Sequence, residues 1–282
     1  MTKMLDWLED QYVTDLARQK SSDLFAEYAE RSAECARTLG THIDVPYGDA
    51  PRQRLDIYMP ASDAPVPALF FIHGGYWKAG DKSMRSFPAP AWVNRGCAFI
   101  AINYRLLPDT PLASILSDAR SALIWVMRNA EGIGIDPARI AISGTSAGGH
   151  LSAMLATEDW RAYGGGAPGG ISCAALISGL FDLGPLLATS MGSALALTPA
   201  DAHELSPVNR LPCDQLPVMI AVGEQESDAF KYQSKALANR WQAFGLSPKL
   251  SVVPERDHFT VFADLADPDS ELSCFVAQNL GV

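Results

Sequence analysis

The sequence predicts an α/β fold in which a mostly parallel sheet of about eight strands is flanked by helices. Short, continuously apolar runs alternate with longer segments of helical periodicity along most of the 282 residues. The apolar content of 48% is enough for a substantial core, and charged residues make up only 19%. Strands that are apolar on both faces are typical of a sheet covered by helices on both sides, whereas a sheet wet on one face would alternate.

The length indicates one domain, because a chain of 282 residues commonly folds around a single large core. Residues 1–40 carry an apolar helical period, which predicts one or two helices before the first strand. Between residues 179 and 217 the pattern weakens into glycine, proline and short helical pieces. We expect these two segments to form a small helical cap on the single domain 1–282. The glycines between 164 and 170 predict a surface loop.

Eight segments have strand character and account for the predicted sheet. The first two are short, and the other six are apolar runs bounded by turn residues. The predicted strands are residues 42–45, 54–58, 68–72, 97–102, 139–143, 173–177, 218–222 and 250–253. The predicted helices of the main fold are residues 113–129, 147–156, 230–244 and a C-terminal helix from about residue 259.

The strongest chemical signal is the run GTSAG at residues 144–148, with Ser146 at its centre. It follows a predicted strand directly and precedes a predicted helix, which is the context that the G-x-S-x-G nucleophile motif requires. Glycines flank the serine because side chains there would collide in so sharp a turn. We therefore predict that Ser146 is a nucleophile; the alternative is a glycine-rich turn that only packs a helix on a strand.

A second signal is the run HGGYW at residues 73–77, which follows the strand 68–72. An α/β-hydrolase keeps its oxyanion loop at this place, upstream of the nucleophile. Such a loop aims backbone N–H groups at the developing alkoxide, and glycines let the main chain approach the substrate. We predict Gly75, Tyr76 and Ala147 as the N–H donors, and His73 as a structural brace.

A serine hydroxyl is a weak nucleophile until a base accepts its proton, so the mechanism requires a histidine. His258 follows the last predicted strand and therefore comes after Ser146, in the chain order that this fold uses. His150 lies four residues past Ser146, and we expect it to pack there. His258 is thus the predicted base.

The acid that orients the base is expected on the loop after the strand 218–222, where three carboxylates compete. The usual position, about four residues past the strand, favours Glu226. Asp228 is the second choice and Glu224 the third.

Six motifs resemble the kynurenine formamidase (arylformamidase) branch of the α/β-hydrolases, which is related to the hormone-sensitive-lipase-like esterases. They are VPYG at 45–48, LDIY at 55–58, HGGYW at 73–77, SAGGHL at 146–151, SGLFDL at 178–183 and DHF at 257–259. The resemblance covers nearly the whole chain. It implies a triad of Ser146, Glu226 and His258, with glutamate where the family has aspartate. The chain also has Thr145 where family members commonly place a histidine.

The chemistry implied is acyl transfer through an acyl-enzyme on Ser146, with no metal or organic cofactor. The resemblance implies a small-acyl aryl amide or formamide of the N-formyl-L-kynurenine type as substrate. A broad short-acyl carboxylesterase is the alternative, and a non-catalytic binding module is a remote third. Trp77 and Phe181 are candidates to stack on an aryl leaving group. Arg105, Arg161 and Arg256 are open candidates for a substrate carboxylate.

Composition bears on the partners. A net charge of −10 without a basic cluster argues against nucleic acid, so a small-molecule substrate is expected. No apolar run approaches the roughly 20 residues that span a bilayer, and the acidic N-terminus lacks a signal-peptide core, so we expect no membrane association and a cytoplasmic protein. The five cysteines have no C-x-x-C spacing, which indicates reduced, mostly buried thiols. A monomer and a homodimer both remain open.

Overall fold

The computed structural model of the chain describes residues 2–20, 22–160, 170–212 and 215–282. Within these ranges eight strands form one sheet in the order β1-β2-β4-β3-β5-β6-β7-β8. The first two strands are antiparallel, and the remaining six run parallel to one another. The strands are β1 (Gly40–Pro46), β2 (Arg54–Tyr58), β3 (Val66–Ile72), β4 (Ala98–Ile102), β5 (Ile135–Thr145), β6 (Cys173–Ile177), β7 (Val218–Gly223) and β8 (Lys249–Val253).

Helices precede the sheet and connect its parallel strands. They are α1 (Thr2–Glu9), α2 (Asp15–Gln19), α3 (Ser22–Leu39), α4 (Ala89–Val93), α5 (Leu112–Asn129), α6 (Ala147–Ala156), α7 (Ser190–Leu195), α8 (Pro199–Glu204), α9 (Asp228–Ala243) and α10 (Glu271–Leu280). A single π-helical turn, Asp10–Thr14, joins α1 to α2.

The parallel strands are buried on both faces, as their sequences require. Every residue of β3, β4, β6 and β7 is buried. Phe70 and Ile72 of β3 lie in one core with residues of α5, α6 and α9, while Phe71 between them lies in a second core with residues of α3, α4 and α10. The predicted fold class, a mostly parallel sheet flanked by helices, is therefore confirmed.

Strand β2 alternates apolar and polar residues, yet its polar side chains need not face water. Its polar residue Asp56 is only 2% exposed. The Nζ atom of Lys82, itself buried, donates to the Asp56 carboxylate over 2.7 Å and to Asp44 over 2.6 Å. Paired in this way, the buried carboxylate has a counter-charge and a hydrogen bond.

The C-terminal helix was predicted to begin at about residue 259, and that boundary is wrong. Residues Val261–Ala266 form a 3-10 helix, and α10 begins at Glu271. Pro268 lies between them and has no backbone N–H to continue a helix. The Ser270 side chain accepts from the Ser273 amide and so caps a new helix.

The two segments predicted as a cap contact each other. The Glu9 carboxylate at the end of α1 accepts hydrogen bonds from the Ser190 amide and hydroxyl, over 2.7 and 2.6 Å, where α7 begins. The predicted glycine-rich loop lies outside the described residues except for Gly170.

Four cysteines are free thiols. Cys35, Cys97 and Cys173 are buried and Cys274 is exposed, while Cys213 lies outside the described ranges. Within those ranges the helices are too short or too polar to cross a bilayer.

Candidate active site

Four neighbouring parallel strands bring the predicted catalytic region together at one edge of the sheet. Ser146 follows β5, Ser178 follows β6, Glu226 follows β7 and His258 follows β8. The carboxyl ends of parallel strands meet at the same edge, which is where open α/β sheets bind their ligands.

Ser146 lies on a strained turn between β5 and α6. Its φ of 56° and ψ of −119° place a non-glycine residue in a sparsely populated region. A Cβ atom at Gly148 would lie 2.0 Å from the Ile72 carbonyl oxygen, and one at Gly144 would lie 2.4 Å from the Gly148 oxygen. The strand and helix therefore approach so closely that only glycine fits on either side of the serine. The Ser146 amide donates to the Ile177 oxygen over 2.9 Å, which fixes the turn to β6.

The segment 73–77 packs directly on this turn. A Cβ atom at Gly74 would lie 2.8 Å from the Thr145 oxygen and 3.0 Å from the Ser146 Cβ. The next three residues all have positive φ, with 123° at Gly75, 51° at Tyr76 and 57° at Trp77. Three such residues in succession describe a main chain that is curled back beside the serine.

The three predicted N–H donors remain available for a ligand. In the described part of the chain, the amides of Gly75, Tyr76 and Ala147 donate to no protein acceptor. Ala147 is the first residue of α6, where amides have no partner within the helix and the helix dipole favours negative charge.

His258 and Glu226 form a buried hydrogen-bonded pair. The Nδ1 atom of His258 lies 2.7 Å from Oε2 of Glu226, and both residues are under 5% exposed. The other carboxylate oxygen, Oε1, accepts from the Ser178 hydroxyl over 2.5 Å and from the Gly223 amide over 2.7 Å. Because Nδ1 donates to the carboxylate, Nε2 is the ring nitrogen that can take up a proton.

The structure distinguishes Glu226 from its two rivals. Asp228 has a side chain that is 85% exposed and lies 3.2 Å from Lys231. Glu224 is also exposed, and its carboxylate accepts from the Glu255 amide. Of the three carboxylates, Glu226 is the one that the structure brings to His258.

Two other histidines lie near Ser146 and are held as neutral rings. Burial lowers the pKa of His73 and that of His150 to about 4. His73 stacks on Tyr104 with ring centroids 4.4 Å apart, and its Nδ1 lies 2.7 Å from the Gly74 oxygen. His150 makes its hydrogen bond to the Leu205 oxygen through Nε2, over 2.8 Å. Both rings thus contact main-chain carbonyls, which fits packing roles.

Trp77 and Phe181, predicted to contact substrate, have no exposed surface. The Trp77 ring packs edge to face on His150, with centroids 5.0 Å apart. A Cβ atom at Gly179 would lie 2.3 Å from the Phe181 ring. Substrate would therefore reach either ring only after neighbouring groups move.

Two of the three candidate arginines are engaged in ion pairs. Arg105 donates to both oxygens of Asp118, over 2.8 and 2.6 Å, and Arg256 donates to Asp264 over 2.8 Å. Arg161 lies outside the described residues.

Two groups that hold the Glu226 carboxylate were not predicted from the sequence. Ser178 is fully buried and has a φ of 48°, and it stands first in the SGLFDL motif. That motif contributes to the family resemblance, but the sequence gives no physical reason to place its serine at the carboxylate. The Gly223 amide carries no signal at all in the sequence.

Comparison with known proteins finds similarity to several hydrolases. Residues 55–163 match the BD-FAE family, and residues 122–275 match the prolyl oligopeptidase family. A kynurenine formamidase of Danio rerio is 31% identical over 89% of this chain and 85% of its own length. The carboxylic ester hydrolase LipN of Mycobacterium tuberculosis is 33% identical over 52% of this chain and 42% of its own. Among solved structures, a proposed thioesterase of a Silicibacter species superposes with a TM-score of 0.82 at 29% identity, covering 95% of this chain and 98% of that one.

Proposed function

The chain belongs to the kynurenine formamidase family of the α/β-hydrolases, and from this membership we propose that it removes a formyl or other small acyl group from an aryl amide. Its residues 122–275 also belong to the prolyl oligopeptidase family. The proposed substrate is of the N-formyl-L-kynurenine type, and the reaction passes through an acyl-enzyme on Ser146. The observation that carries the proposal is the buried Glu226–His258 pair at the sheet edge that also presents the strained Ser146.

In the proposed reaction the Ser146 hydroxyl attacks the acyl carbon while His258 accepts its proton at Nε2. The amides of Gly75, Tyr76 and Ala147 donate to the oxygen of the tetrahedral intermediate. His258 then returns the proton to the leaving amine, and the C–N bond breaks. Water, activated by the same histidine, attacks the acyl-enzyme and releases the carboxylic acid and free Ser146. Every step uses protein groups and water.

We propose that residues 1–40 and 179–217 form a cap over this site within one domain. The contact between Glu9 and Ser190 joins the two segments, and Tyr76 donates to the main chain of Tyr12. A cap held this close to the oxyanion segment leaves room for small acyl groups. A preference for acetyl over longer acyl chains in an ester series would support it.

A broad short-acyl carboxylesterase is the second candidate. It is favoured by the similarity to the ester hydrolase LipN over about half of the chain. The same nucleophile, base and N–H donors serve both reactions, because an ester and an amide differ in the leaving group that must be protonated.

The experiment compares kcat/KM for N-formyl-L-kynurenine with that for p-nitrophenyl acetate and butyrate. A formamide value at or above about 10⁴ M⁻¹s⁻¹, ordinary for an enzyme on its own substrate, would support the formamidase. Ester turnover with negligible formamide cleavage would select the carboxylesterase. Reaction with a fluorophosphonate probe excludes a non-catalytic module if labelling disappears in Ser146→Ala.

Ser152→Ala is the matched control for the nucleophile variant. It removes a buried serine hydroxyl from α6, the helix that follows Ser146, and that hydroxyl has no hydrogen-bond partner in the described residues. Loss of both labelling and turnover in Ser146→Ala alone would assign the chemistry to Ser146.

For the setting of the enzyme we propose a cytoplasmic protein that acts on small molecules as a monomer or homodimer, without nucleic acid. The free buried thiols support a reducing compartment, and the net charge of −10 disfavours a polyanion partner. Light scattering on the purified protein would decide between monomer and dimer.

A further inference from the structure

The π-helical turn at the N-terminus touches both loops on which the proposed mechanism depends. We call residues Gln11 and Tyr12 of this turn the N-terminal clamp. Isolated π-turns are rare and are often found at functional sites. Tyr12 is 2% exposed although it lies only a few residues from the start of the chain.

On one side the clamp holds the oxyanion segment. The Tyr76 hydroxyl donates to the main-chain oxygen of Tyr12. Tyr76 has a φ of 51°, and its own amide is a proposed oxyanion donor. A residue persists in such a conformation when its surroundings over-determine it. The bond to Tyr12 is an anchor of that kind, at the far end of the side chain.

On the other side the clamp holds the loop that carries the acid. The hydroxyl of Ser227, the residue after Glu226, donates to the Gln11 oxygen over 2.8 Å. The Ala229 amide lies 3.3 Å from the Gln11 side-chain oxygen and donates to it. The start of α9 is therefore tied to the same turn as Tyr76.

The clamp also reaches the histidine through an aromatic contact. The Tyr12 ring packs edge to face on Phe230 with centroids 5.7 Å apart, and Phe230 lies 4.4 Å from the His258 ring. Gln233 donates to the Tyr12 hydroxyl over 2.8 Å and holds the tyrosine from behind.

We propose that the N-terminal clamp is a positioning element that fixes the position of the oxyanion segment relative to the acid loop. The inference rests on the proposed function. Oxyanion donors act at 2.7–3.1 Å from the developing charge, so displacing the oxyanion segment by a fraction of an ångström reduces transition-state stabilisation. Displacing the acid loop shifts the Glu226 carboxylate that orients His258. The clamp touches no substrate; it acts through Tyr76 and Ser227.

The test removes one hydrogen bond on each side, in Tyr76→Phe and Ser227→Ala, and measures kcat and KM on p-nitrophenyl acetate. We expect kcat to fall about tenfold in Tyr76→Phe and about fivefold in Ser227→Ala, with KM changed less than threefold. Affinity for a trifluoromethyl ketone, which forms an oxyanion on the serine, should fall with kcat in Tyr76→Phe.

Tyr47→Phe is the matched control. The Tyr47 hydroxyl also donates to a main-chain oxygen, that of Asn103 over 2.6 Å, and the residue is buried, while neither partner belongs to the clamp, to residues 73–77 or to the acid loop. We expect it to lower Tm about as much as Tyr76→Phe while kcat stays within twofold.

The double variant tests the link between the loops. Mutations at separate sites normally add in free energy, so their effects on kcat multiply. If both loops depend on one clamp, the loss in the double variant should be at least threefold smaller than the product of the single losses. Fully multiplicative effects, or unchanged kcat in both single variants, would overturn the inference while the wild type remains active. An inactive wild type would overturn the proposed function and the inference with it.

Discussion

Ser146 and the glycines beside it are held by the main chain, whereas the Glu226 carboxylate is held mainly by hydrogen bonds to two side chains from distant parts of the sequence, Ser178 and His258. We call the first region, residues 73–77 with 144–150, the nucleophile wall. The second region, Ser178 with residues 223–230 and 256–259, is the acid wall. In the nucleophile wall a Cβ atom at Gly148 would lie 2.0 Å from a carbonyl oxygen. In the acid wall one carboxylate accepts from three groups on three segments.

This contrast explains which parts of the site the sequence reveals. Main-chain crowding demands glycine at fixed spacing around the serine, so the nucleophile wall has a local motif. Hydrogen bonds between segments require only a partner of suitable reach, so they impose no fixed residue spacing on the acid wall. Four variants or conditions test this contrast, in order of decreasing expected effect.

Neutralising the carboxylate at the centre of the acid wall should cause the largest loss of kcat. We expect Glu226→Gln to lower kcat about 10⁴-fold, because an amide cannot hold the His258 tautomer or stabilise the imidazolium. Asp228→Asn is the control, since that side chain is 85% exposed, and its kcat should stay within about twofold. Steady-state kinetics on p-nitrophenyl acetate measures both; the reverse ranking would place the acid at Asp228.

In the nucleophile wall, adding a side chain at a glycine should lower the stability of the protein. Gly148→Ala places a methyl group against the Ile72 oxygen, and we expect the free energy of unfolding to fall by about 3 kcal/mol. Gly132→Ala is the control, because a Cβ atom there meets nothing within 4 Å. Urea unfolding of both variants measures the difference. Equal stability would show that the strand and helix can separate at little cost.

Removal of the Ser178 hydroxyl should weaken the acid wall without abolishing it. The Glu226 oxygen that faces Ser178 keeps the Gly223 amide as a donor over 2.7 Å. We therefore expect Ser178→Ala to lower kcat about tenfold, a loss of one hydrogen bond to a charged group. A kcat equal to that of the wild type in Ser178→Ala would show that the amide alone positions the carboxylate.

The smallest effect concerns the neutral histidines of the nucleophile wall. Burial lowers the pKa of His150 and of His73 to about 4, against about 6.5 in an unfolded chain. Between pH 6.5 and 4 the unfolded state binds more protons, so the free energy of unfolding decreases as the pH falls through this window. His150→Gln should flatten that decrease. Urea midpoints at pH 7 and pH 5 that change equally in both proteins would contradict it.

The sheet, the strained turn at Ser146 and the chain order of the proposed catalytic groups could be predicted from the sequence because apolar runs and a glycine motif are local signals. The helix limits of α5, α6 and α9 agree with the prediction to within two residues. The predicted start of the C-terminal helix is too early because Pro268 interrupts the helical segment before α10 begins. Periodicity alone cannot locate such a break.

The support around the site could not be predicted in the same way. Spacing along the chain favoured Glu226 over Asp228. The hydrogen bonds from Ser178 and Gly223 that distinguish the two carboxylates are visible only in the structure. The contact between Gln11 and Ser227 joins residues 216 positions apart, for which a single sequence holds no signal. Trp77 and Phe181 were singled out as aromatic residues near the nucleophile, but aromatic composition does not reveal that both are fully buried.

The order of the strands also has a consequence for synthesis on the ribosome. His258 follows the last strand, and the N-terminal helices contact groups as far along as Phe262, whose ring packs edge to face on Tyr28. Contacts of such separation form late in folding. A nascent chain that has not yet emerged past residue 258 therefore has Ser146 but not His258, and helix α3, although made earlier, completes its contact with Phe262 only after that residue has emerged.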